Sequence, residues 1–234
     1  MVAGWPRYDL YVITDPVLSS GRSHVEIARA ALEGGADAVQ LRDKSATAYN
    51  LGLVVREVQP LARRYGALFT VNDRVDVALL SEADGAHVGP ADLPVREARR
   101  LLPRPRILGV SAGTVEEAKK AAREGADYLG VGPVFPTATK PDAGEALGLD
   151  RLAAIVAAVS VPVVAIGGIT AGNVAGVFAA GASGAAVVSS VVAAEDVAAA
   201  ARALKRRIVE ARSRSGDAGG RSGDAGGRPG EGGR

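Results

Sequence analysis

The sequence of 234 residues contains no cysteine. Disulfides, zinc–thiolate sites and thiol nucleophiles are therefore excluded, and a reducing compartment, the cytoplasm, is expected. Aromatic residues make up only 4% of the chain and the net charge is +2, which does not favour a basic, aromatic nucleic-acid surface. No apolar run is long enough to cross a membrane, and the first residues lack the pattern of a signal peptide. We therefore expect no nucleic-acid or membrane partner.

Large apolar residues are missing from the end of the chain. The segment SGDAGGR occupies residues 215–221 and recurs at 222–228. Such a segment buries too little apolar surface to offset the entropy lost on ordering. We therefore predict a single domain over residues 1–212 and a disordered tail, rich in Gly, Arg and Asp, over residues 213–234.

The rest of the chain alternates short apolar runs with longer amphipathic runs. The apolar runs predict strands at Leu10–Thr14, Ala38–Leu41, Leu68–Asn72, Gly85–Val88, Ile107–Ser111, Tyr128–Gly132, Pro162–Ile166 and Ala185–Ser189. The amphipathic runs predict helices at His24–Glu33, Thr47–Arg64, Val75–Ser81, Pro94–Leu102, Val115–Glu124, Leu149–Val159, Ala171–Ala180 and Ala193–Arg212. This series predicts an α/β fold, a closed (β/α)8 TIM barrel. The alternative is an open doubly wound sheet, but no glycine-rich loop follows the first strand.

Charged residues follow the second predicted strand, in the segment QLRDK. In such a barrel, functional residues lie in the loops at the carboxyl ends of the strands. Arg42 and Lys44 have the i, i+2 spacing that places two side chains on the same side of a strand. Two cations at the mouth of the barrel suit a diphosphate, although a surface salt-bridge pattern is the alternative. Asp43 faces the other way, where it can pair with a helix.

Carboxylates follow the third and fourth predicted strands. Asp73 and Asp92 can converge there and, with Asn72 and phosphate oxygens, offer the hard ligands that Mg²⁺ prefers. The alternative for Asp73 is a cap on the helix that follows it. His24 and His87 do not predict a metal site, because neither has a His or Cys partner nearby in the sequence.

Two further segments indicate anion binding. Residues 134–148, VFPTATKPDAGEALG, have neither a helical nor a strand period, and so long a loop in a compact domain is typical of an active-site lid. Within it, Thr137 and Thr139 offer hydroxyls and Lys140 a third cation. The pair Gly167–Gly168 after the seventh strand, together with VVSS after the eighth, is typical of a phosphate cradle in a barrel.

These groups together fit a reaction in which diphosphate leaves and a phosphorylated acceptor is bound. Such a reaction depends on a metal ion and cations more than on a strong protein base. No nucleophile–base pair is evident, since Ser111 has no histidine beside it in the sequence.

Seven motifs, in this order, resemble the thiamine-phosphate synthase (thiamine-phosphate pyrophosphorylase) family. They are YVITD, QLRDK, VNDRVDVA, GAHVGPADLPV, GVSAGT, GADYLGVGPVFPTATK and VVAIGGI, and the resemblance covers about Tyr8 to Val192. It implies that 4-amino-2-methyl-5-(diphosphooxymethyl)pyrimidine is joined to a thiazole phosphate, giving thiamine phosphate and diphosphate. The implied mechanism is a dissociative substitution assisted by Mg²⁺, in which a pyrimidine methyl cation is attacked by the thiazole nitrogen.

The resemblance also implies site residues. Catalytic roles fall on Arg42, Lys44, Ser111 and Lys140, and the magnesium ligands would be Asp73 and Asp92. Contacts to the pyrimidine diphosphate would come from Gln40, Leu41, Arg42, Asp43, Lys44, Asn72, Ser111 and Lys140. Contacts to the thiazole phosphate would come from Thr137, Ala138, Thr139, Gly168, Val188 and Ser189.

Two positions depart from the family pattern. Pro90 stands where the family often has Gln, and Gly113 stands where many relatives have His. A related thiazole tautomerase is expected to use a histidine in that second segment, so Gly113 argues against tautomerase activity. The other alternative is a non-catalytic sensor of phosphorylated ligands, which should have lost the carboxylates or the lid lysine. The sequence leaves a homo-oligomer open.

Overall fold

The computed structural model describes residues 8–139 and 144–219. Its strands are β1 (Tyr8–Ile13), β2 (Ala38–Leu41), β3 (Leu68–Asn72), β4 (Gly85–Val88), β5 (Ile107–Ala112), β6 (Tyr128–Val131), β7 (Val163–Ile166) and β8 (Gly184–Val187). Its helices are α1 (His24–Glu33), α2 (Ala48–Tyr65), α3 (Val75–Leu80), α4 (Val95–Leu101), α5 (Val115–Glu124), α6 (Gly148–Ala158), α7 (Val174–Ala179), α8 (Ser189–Val192) and α9 (Val197–Gly219). The strands are parallel and close into a barrel in sequence order, which confirms the predicted (β/α)8 fold.

The last helical segment differs from the prediction. The helix predicted over Ala193–Arg212 begins later in the structure, because α9 starts at Val197, and the short α8 ends before the predicted start, with a break between the two. The break occurs because the Asp196 carboxylate accepts the backbone N–H of Ala199 at 2.9 Å and so caps a new helix. Helix α9 continues through Gly219, past the predicted boundary at residue 212. Residues 220–234 of the predicted tail lie outside the described residues.

Apolar side chains fill two separate regions. A large cluster packs between the barrel and its helices, as expected for strands covered on the outside. A smaller cluster lies inside the barrel and contains Tyr8, Tyr11 and Tyr128. The ring of Tyr128 lies over Gly109 on the neighbouring strand, where a Cβ atom would be only 2.1 Å from the ring. The barrel interior is therefore filled largely by tyrosine rings, whose hydroxyls need hydrogen-bond partners.

Aspartates tie the strands together at their amino ends. Each lies at the turn from a helix into a strand, and its carboxylate accepts a backbone N–H from the preceding strand. The bonds are Leu10 N to Asp37 Oδ2 at 2.9 Å, Phe69 N to Asp84 Oδ2 at 2.8 Å, and Leu108 N to Asp127 Oδ2 at 2.8 Å. Stabilising charges are thus concentrated at the end of the barrel opposite the mouth.

Helix α9 is held to the same end of the barrel. The Lys205 ammonium contacts the carboxylate of Asp37, and the Nε of Arg212 lies 2.6 Å from the Oδ1 of Asp9. These pairs fix the last helix against β1 and leave the carboxyl ends of the strands uncovered by it. Within residues 8–139 and 144–219, no helix has the length and apolar character needed to cross a membrane.

Candidate active site

The segment after β2 carries cations at the mouth of the barrel. Gln40 is buried and its Nε2 donates to the hydroxyl of Tyr11 at 2.9 Å. Arg42 is half-buried and Lys44 is exposed. Asp43 turns away from the mouth, as its place between them predicted, because its carboxylate lies 3.4 Å from the Nε2 of His24 on α1. The segment therefore offers two positive charges to a ligand.

Two carboxylates converge beside these cations. Burial and the neighbouring Asp92 carboxylate raise the pKa of Asp73 to about 6, whereas Lys44 and Arg42 lower it. Asp92 is held in place because its Oδ2 accepts the backbone N–H of Gly89 at 2.7 Å. A pair of carboxylates that repel each other in a partly buried place gains most from a bound cation.

The backbone at Asp73 shows that this position is not an ordinary helix cap. Asp73 has φ +62°, a conformation uncommon for residues other than glycine, and such strain is typical of functional sites. No side chain caps α3, so the alternative reading of Asp73 as a capping residue is wrong.

The donor set fits a magnesium ion that also binds substrate. Within residues 8–139 and 144–219 there is no cluster of three or more His, Cys, Asp or Glu side chains that could hold a metal alone. Asp73 and Asp92 supply hard oxygen ligands, which Mg²⁺ prefers, and this ion usually completes its coordination with phosphates and waters. Asn72 lies at the end of β3, directly before Asp73.

A chain of hydrogen bonds crosses the barrel interior and ends at Ser111. From Gln40 it runs through the hydroxyls of Tyr11 and Tyr128, which lie 2.9 Å apart. His87 then contacts Tyr128 through Nδ1 and Ser111 Oγ through Nε2, both at 3.0 Å. Burial raises the pKa of Tyr128 well above its usual value, so its hydroxyl stays protonated.

The contact between Ser111 and His87 corrects the sequence analysis. We found no histidine beside Ser111 in the sequence, but the structure brings one to it from the neighbouring strand. The register pairs His87 on β4 with Gly109 on β5, and Ser111 lies two residues further along on the same face. Both residues can be read from the sequence, but their contact can be predicted only when the pairing register of β4 and β5 is known.

The predicted phosphate cradle lies at the ends of β7 and β8. The backbone turns sharply at Gly167 and Gly168, with φ +97° and φ +64°. The Oγ1 of Thr139 donates to the Oγ of Ser189 at 3.1 Å, which joins the loop after β6 to the start of α8. The structure thus brings together two segments of the predicted thiazole-phosphate site, whose other members are Thr137, Ala138 and Val188. Lys140 lies outside the described residues.

Two cavities lie away from this mouth. A groove of about 460 Å³ runs between α2 and α3, and a smaller space of about 290 Å³ lies beside His24 and Asp43. The α2–α3 groove is lined by none of the predicted site residues. The candidate site is therefore identified by its converging charges and not by cavity size.

Comparison with known proteins agrees with this site. A family model described as thiamine monophosphate synthase matches residues 10–191. The chain belongs to the thiamine monophosphate synthase family. The thiamine-phosphate synthase of Methanocella arvoryzae is 54% identical over 206 residues, covering 88% of this chain and 97% of its own. That of Moorella thermoacetica is 53% identical over 209 residues, covering 89% of this chain and 100% of its own.

A solved structure from the same family has the same fold. The thiamine phosphate pyrophosphorylase of Pyrococcus furiosus superposes with a TM-score of 0.80 at 46% sequence identity, covering 87% of this chain and 96% of its own. The 3-hexulose-6-phosphate synthase structure, at 20% identity and a TM-score of 0.65, shows only the shared barrel. As a member of the thiamine monophosphate synthase family, the chain is an enzyme of the transferase class.

The two departures from the family pattern leave the local structure intact. Pro90 lies between Gly89 and Asp92, yet the bond between those two residues is made. At Gly113 the backbone N–H donates to the Oε2 of Glu117 at 2.7 Å, so this segment is held by the first turn of α5. Neither departure displaces a carboxylate of the candidate metal site.

Proposed function

We propose that the enzyme joins a pyrimidine methyl diphosphate to a thiazole phosphate, giving thiamine phosphate and diphosphate. The observation that carries the proposal is the convergence of Arg42, Lys44, Asp73 and Asp92 at one rim of the barrel, where the other three charges act on the pKa of Asp73. Family membership supports the same reaction. We also propose a cytoplasmic location, and a homo-oligomer stays a prediction.

The cations after β2 bind the diphosphate in this proposal. Arg42 can grip phosphate oxygens with two parallel hydrogen bonds, and Lys44 supplies a compact charge. Asp73 and Asp92 would hold Mg²⁺, which when bound neutralises charge on the departing diphosphate. Asn72 and Lys140 are proposed as further contacts to the same group, and Leu41 and Asp43 as contacts through their backbone.

The interior chain of hydrogen bonds positions the Ser111 hydroxyl. We assign to His87 the tautomer in which Tyr128, kept protonated by burial, donates to Nδ1, and the Nε2–H donates to the Oγ of Ser111. The Ser111 proton is left to donate to the substrate. In this arrangement Gln40 and Ser111 face the pyrimidine diphosphate as hydrogen-bonding groups, and neither removes a proton.

The cradle after β7 and β8 binds the second substrate. Gly168, Val188 and Ser189 would contact the thiazole phosphate, and Thr137, Ala138 and Thr139 would approach it from the lid. A glycine is needed where the backbone amide approaches a phosphate closely. The two substrates would then meet above the barrel interior.

The proposed reaction balances without proton transfer. The bond between the methylene carbon and the diphosphate oxygen breaks, and its electron pair leaves with the diphosphate. The thiazole nitrogen then forms a bond to that carbon with its own lone pair. Positive charges that stabilise the leaving group are therefore more important than a general base.

A coupled assay for thiamine phosphate tests the proposal. Product should form only when both substrates and Mg²⁺ are present. Asp73→Asn removes the charge and keeps a residue that tolerates the backbone conformation, so we expect turnover to fall about 10²-fold or more. The matched control is Asp76→Asn, which weakens the exposed pair with Arg74 and leaves both candidate metal ligands in place. Unchanged turnover in Asp73→Asn would contradict the metal assignment, and product without Mg²⁺ would contradict the mechanism.

A further inference from the structure

We propose that His24 is a positioning residue, which fixes the segment bearing Arg42 and Lys44 at the mouth of the barrel. This inference rests on the proposed function in one respect, namely that these two cations bind diphosphate. The ring of His24 contacts Thr14 and Asp43, and it makes no hydrogen bond to the side chain of Arg42 or Lys44. It acts through two contacts, one to β1 and one to the segment after β2.

The imidazole of His24 bridges these two parts of the barrel. It is the first residue of α1, and only 8% of its surface is exposed. Its Nδ1 lies 2.7 Å from the Oγ1 of Thr14, which follows β1. Its Nε2 lies 3.4 Å from the Oδ2 of Asp43. A buried ring with partners at both nitrogens cannot turn without losing a hydrogen bond.

The direction of each hydrogen bond follows from the neighbours. Burial lowers the pKa of His24, and the start of a helix also disfavours a positive charge, so the ring is neutral. The ionised carboxylate of Asp43 can only accept, which places the ring proton on Nε2. The Thr14 hydroxyl can donate to the Gln40 carbonyl oxygen at 3.3 Å or to Nδ1 at 2.7 Å, and we assign its proton to the shorter contact, so that Nδ1 accepts. The Thr14 oxygen in turn accepts the backbone N–H of Arg42 at 3.3 Å. These hydrogen bonds run from the backbone of Arg42 through Thr14 and His24 to the carboxylate of Asp43, the residue after Arg42.

Asp43 passes this restraint on to the turn that contains Lys44. Its Oδ1 accepts the backbone N–H of Ser45 at 2.8 Å, the hydroxyl of Ser45 at 2.7 Å and the backbone N–H of Ala46 at 3.0 Å. Lys44 lies between the anchored residues, and its charge lowers the pKa of Asp73. His24 thus holds the side of the segment that faces α1, while the opposite side presents the cations.

Two substitutions at His24 separate its two contacts. Asn is short and can replace the contact of Nδ1 to Thr14, whereas Gln is longer and can replace the contact of Nε2 to Asp43. The neighbouring Ser23→Ala is the matched control, because Ser23 caps the same helix end through Glu26 and does not contact Asp43.

Titration calorimetry with inorganic diphosphate and Mg²⁺ measures the effect directly. We expect the wild-type protein to bind, and His24→Asn and His24→Gln to bind about tenfold more weakly, since small displacements of positioning groups are costly. Ser23→Ala should lower the melting temperature and keep the wild-type affinity. In steady-state assays, the KM for the pyrimidine diphosphate should rise in both His24 variants, with the KM for the thiazole phosphate unchanged.

The outcomes distinguish this inference from the proposed function. If the wild-type protein does not bind diphosphate, both are overturned. If it binds and both His24 variants bind equally well, or if Ser23→Ala weakens binding as much as they do, only the role of His24 is overturned. Nitrogen NMR of the unsubstituted protein adds a test that needs no folded variant of His24. The Nε2–H tautomer is expected, and an Nδ1–H tautomer would contradict the arrangement; the chain has only two histidines, and His87→Asn assigns them.

Discussion

At the scale of one residue, the substitution Gly168→Ala, which adds one methyl group, tests the proposed phosphate cradle. A Cβ atom there would lie 2.5 Å from the carbonyl oxygen of Pro136, and the φ of +64° is unfavourable for alanine. We expect Gly168→Ala to raise the KM for thiazole phosphate and to destabilise the fold by about 1–3 kcal/mol. Substrate kinetics and denaturant unfolding measure the two effects.

Gly172→Ala is the control for this prediction, because a Cβ there meets only Thr170 Oγ1 at 3.7 Å, an ordinary contact. Equal kinetics for the two glycine variants would remove the cradle from the thiazole-phosphate site.

His24 also predicts how stability depends on pH. Burial lowers its pKa in the folded protein below the usual 6.5, although Asp43 and Asp15 partly oppose this. The unfolded chain therefore takes up a proton first as the pH falls, and stability is lost from about pH 6.5 downward until the folded form is also protonated. Denaturant unfolding between pH 8 and pH 5 should show a smaller loss in His24→Asn than in the wild-type protein. Parallel curves would contradict a neutral, buried His24.

Residues at strand ends were predictable, and contacts between strands were not. Arg42, Lys44, Asp73 and Asp92 each follow an apolar run, and the barrel brings all such positions to one rim. The pairing of His87 with Ser111 instead depends on the register of β4 against β5, which the sequence of one strand does not specify.

The turn into β6 is the clearest example of stabilisation at the scale of an element. Asp127 is buried and accepts hydrogen bonds from Arg99, from Arg104 and from the backbone of Leu108. Removing it in Asp127→Ala leaves a half-buried guanidinium and a buried N–H without their partner, so we expect a loss of about 3–5 kcal/mol. Thermal and denaturant unfolding would measure this loss.

Activity at low temperature should survive in Asp127→Ala, because the site lies at the other end of the strands. The control is Glu97→Ala, which breaks an exposed pair with Arg100 and should cost less than about 1 kcal/mol. A similar small cost for both variants would show that the turn into β6 does not depend on Asp127.

Element prediction succeeded where apolar periodicity was strong and failed where alanine dominated. The bounds of β2, β3 and β4 are as predicted, because each strand is a short apolar run between turn signals. The segment VVAAEDVAAA instead has a continuous helical preference, so the predicted helix starts at Ala193, four residues before α9, and α8 is not predicted at all. Only the hydrogen bond of Asp196 marks the new helix start, and a side-chain cap of this kind is a weak signal in a sequence.

At the scale of the whole molecule, α9 packs against the amino end of the barrel that β1 and β8 close. Removing the residues after Gly219 keeps the pair of Lys205 with Asp37 and the pair of Arg212 with Asp9, so we expect unchanged melting temperature and activity. Ending the chain before Lys205 removes the pairs with Asp37 and Asp9 and exposes apolar residues of β1, and we expect that protein not to fold. Circular dichroism melts and the coupled assay compare the two truncations. If the protein that ends at Gly219 lost activity, residues 220–234 would be needed for the function of the site.

The contact between Arg212 and Asp9 places the beginning of the first strand and the last helix side by side, on the face opposite the rim that carries the candidate site. A short peptide could therefore join these two places, and new termini could be opened in a surface loop, giving a circular permutant of the same barrel. For the same reason, a fusion partner or a solid support attached beside Asp9 or Arg212 would leave the rim open to substrates.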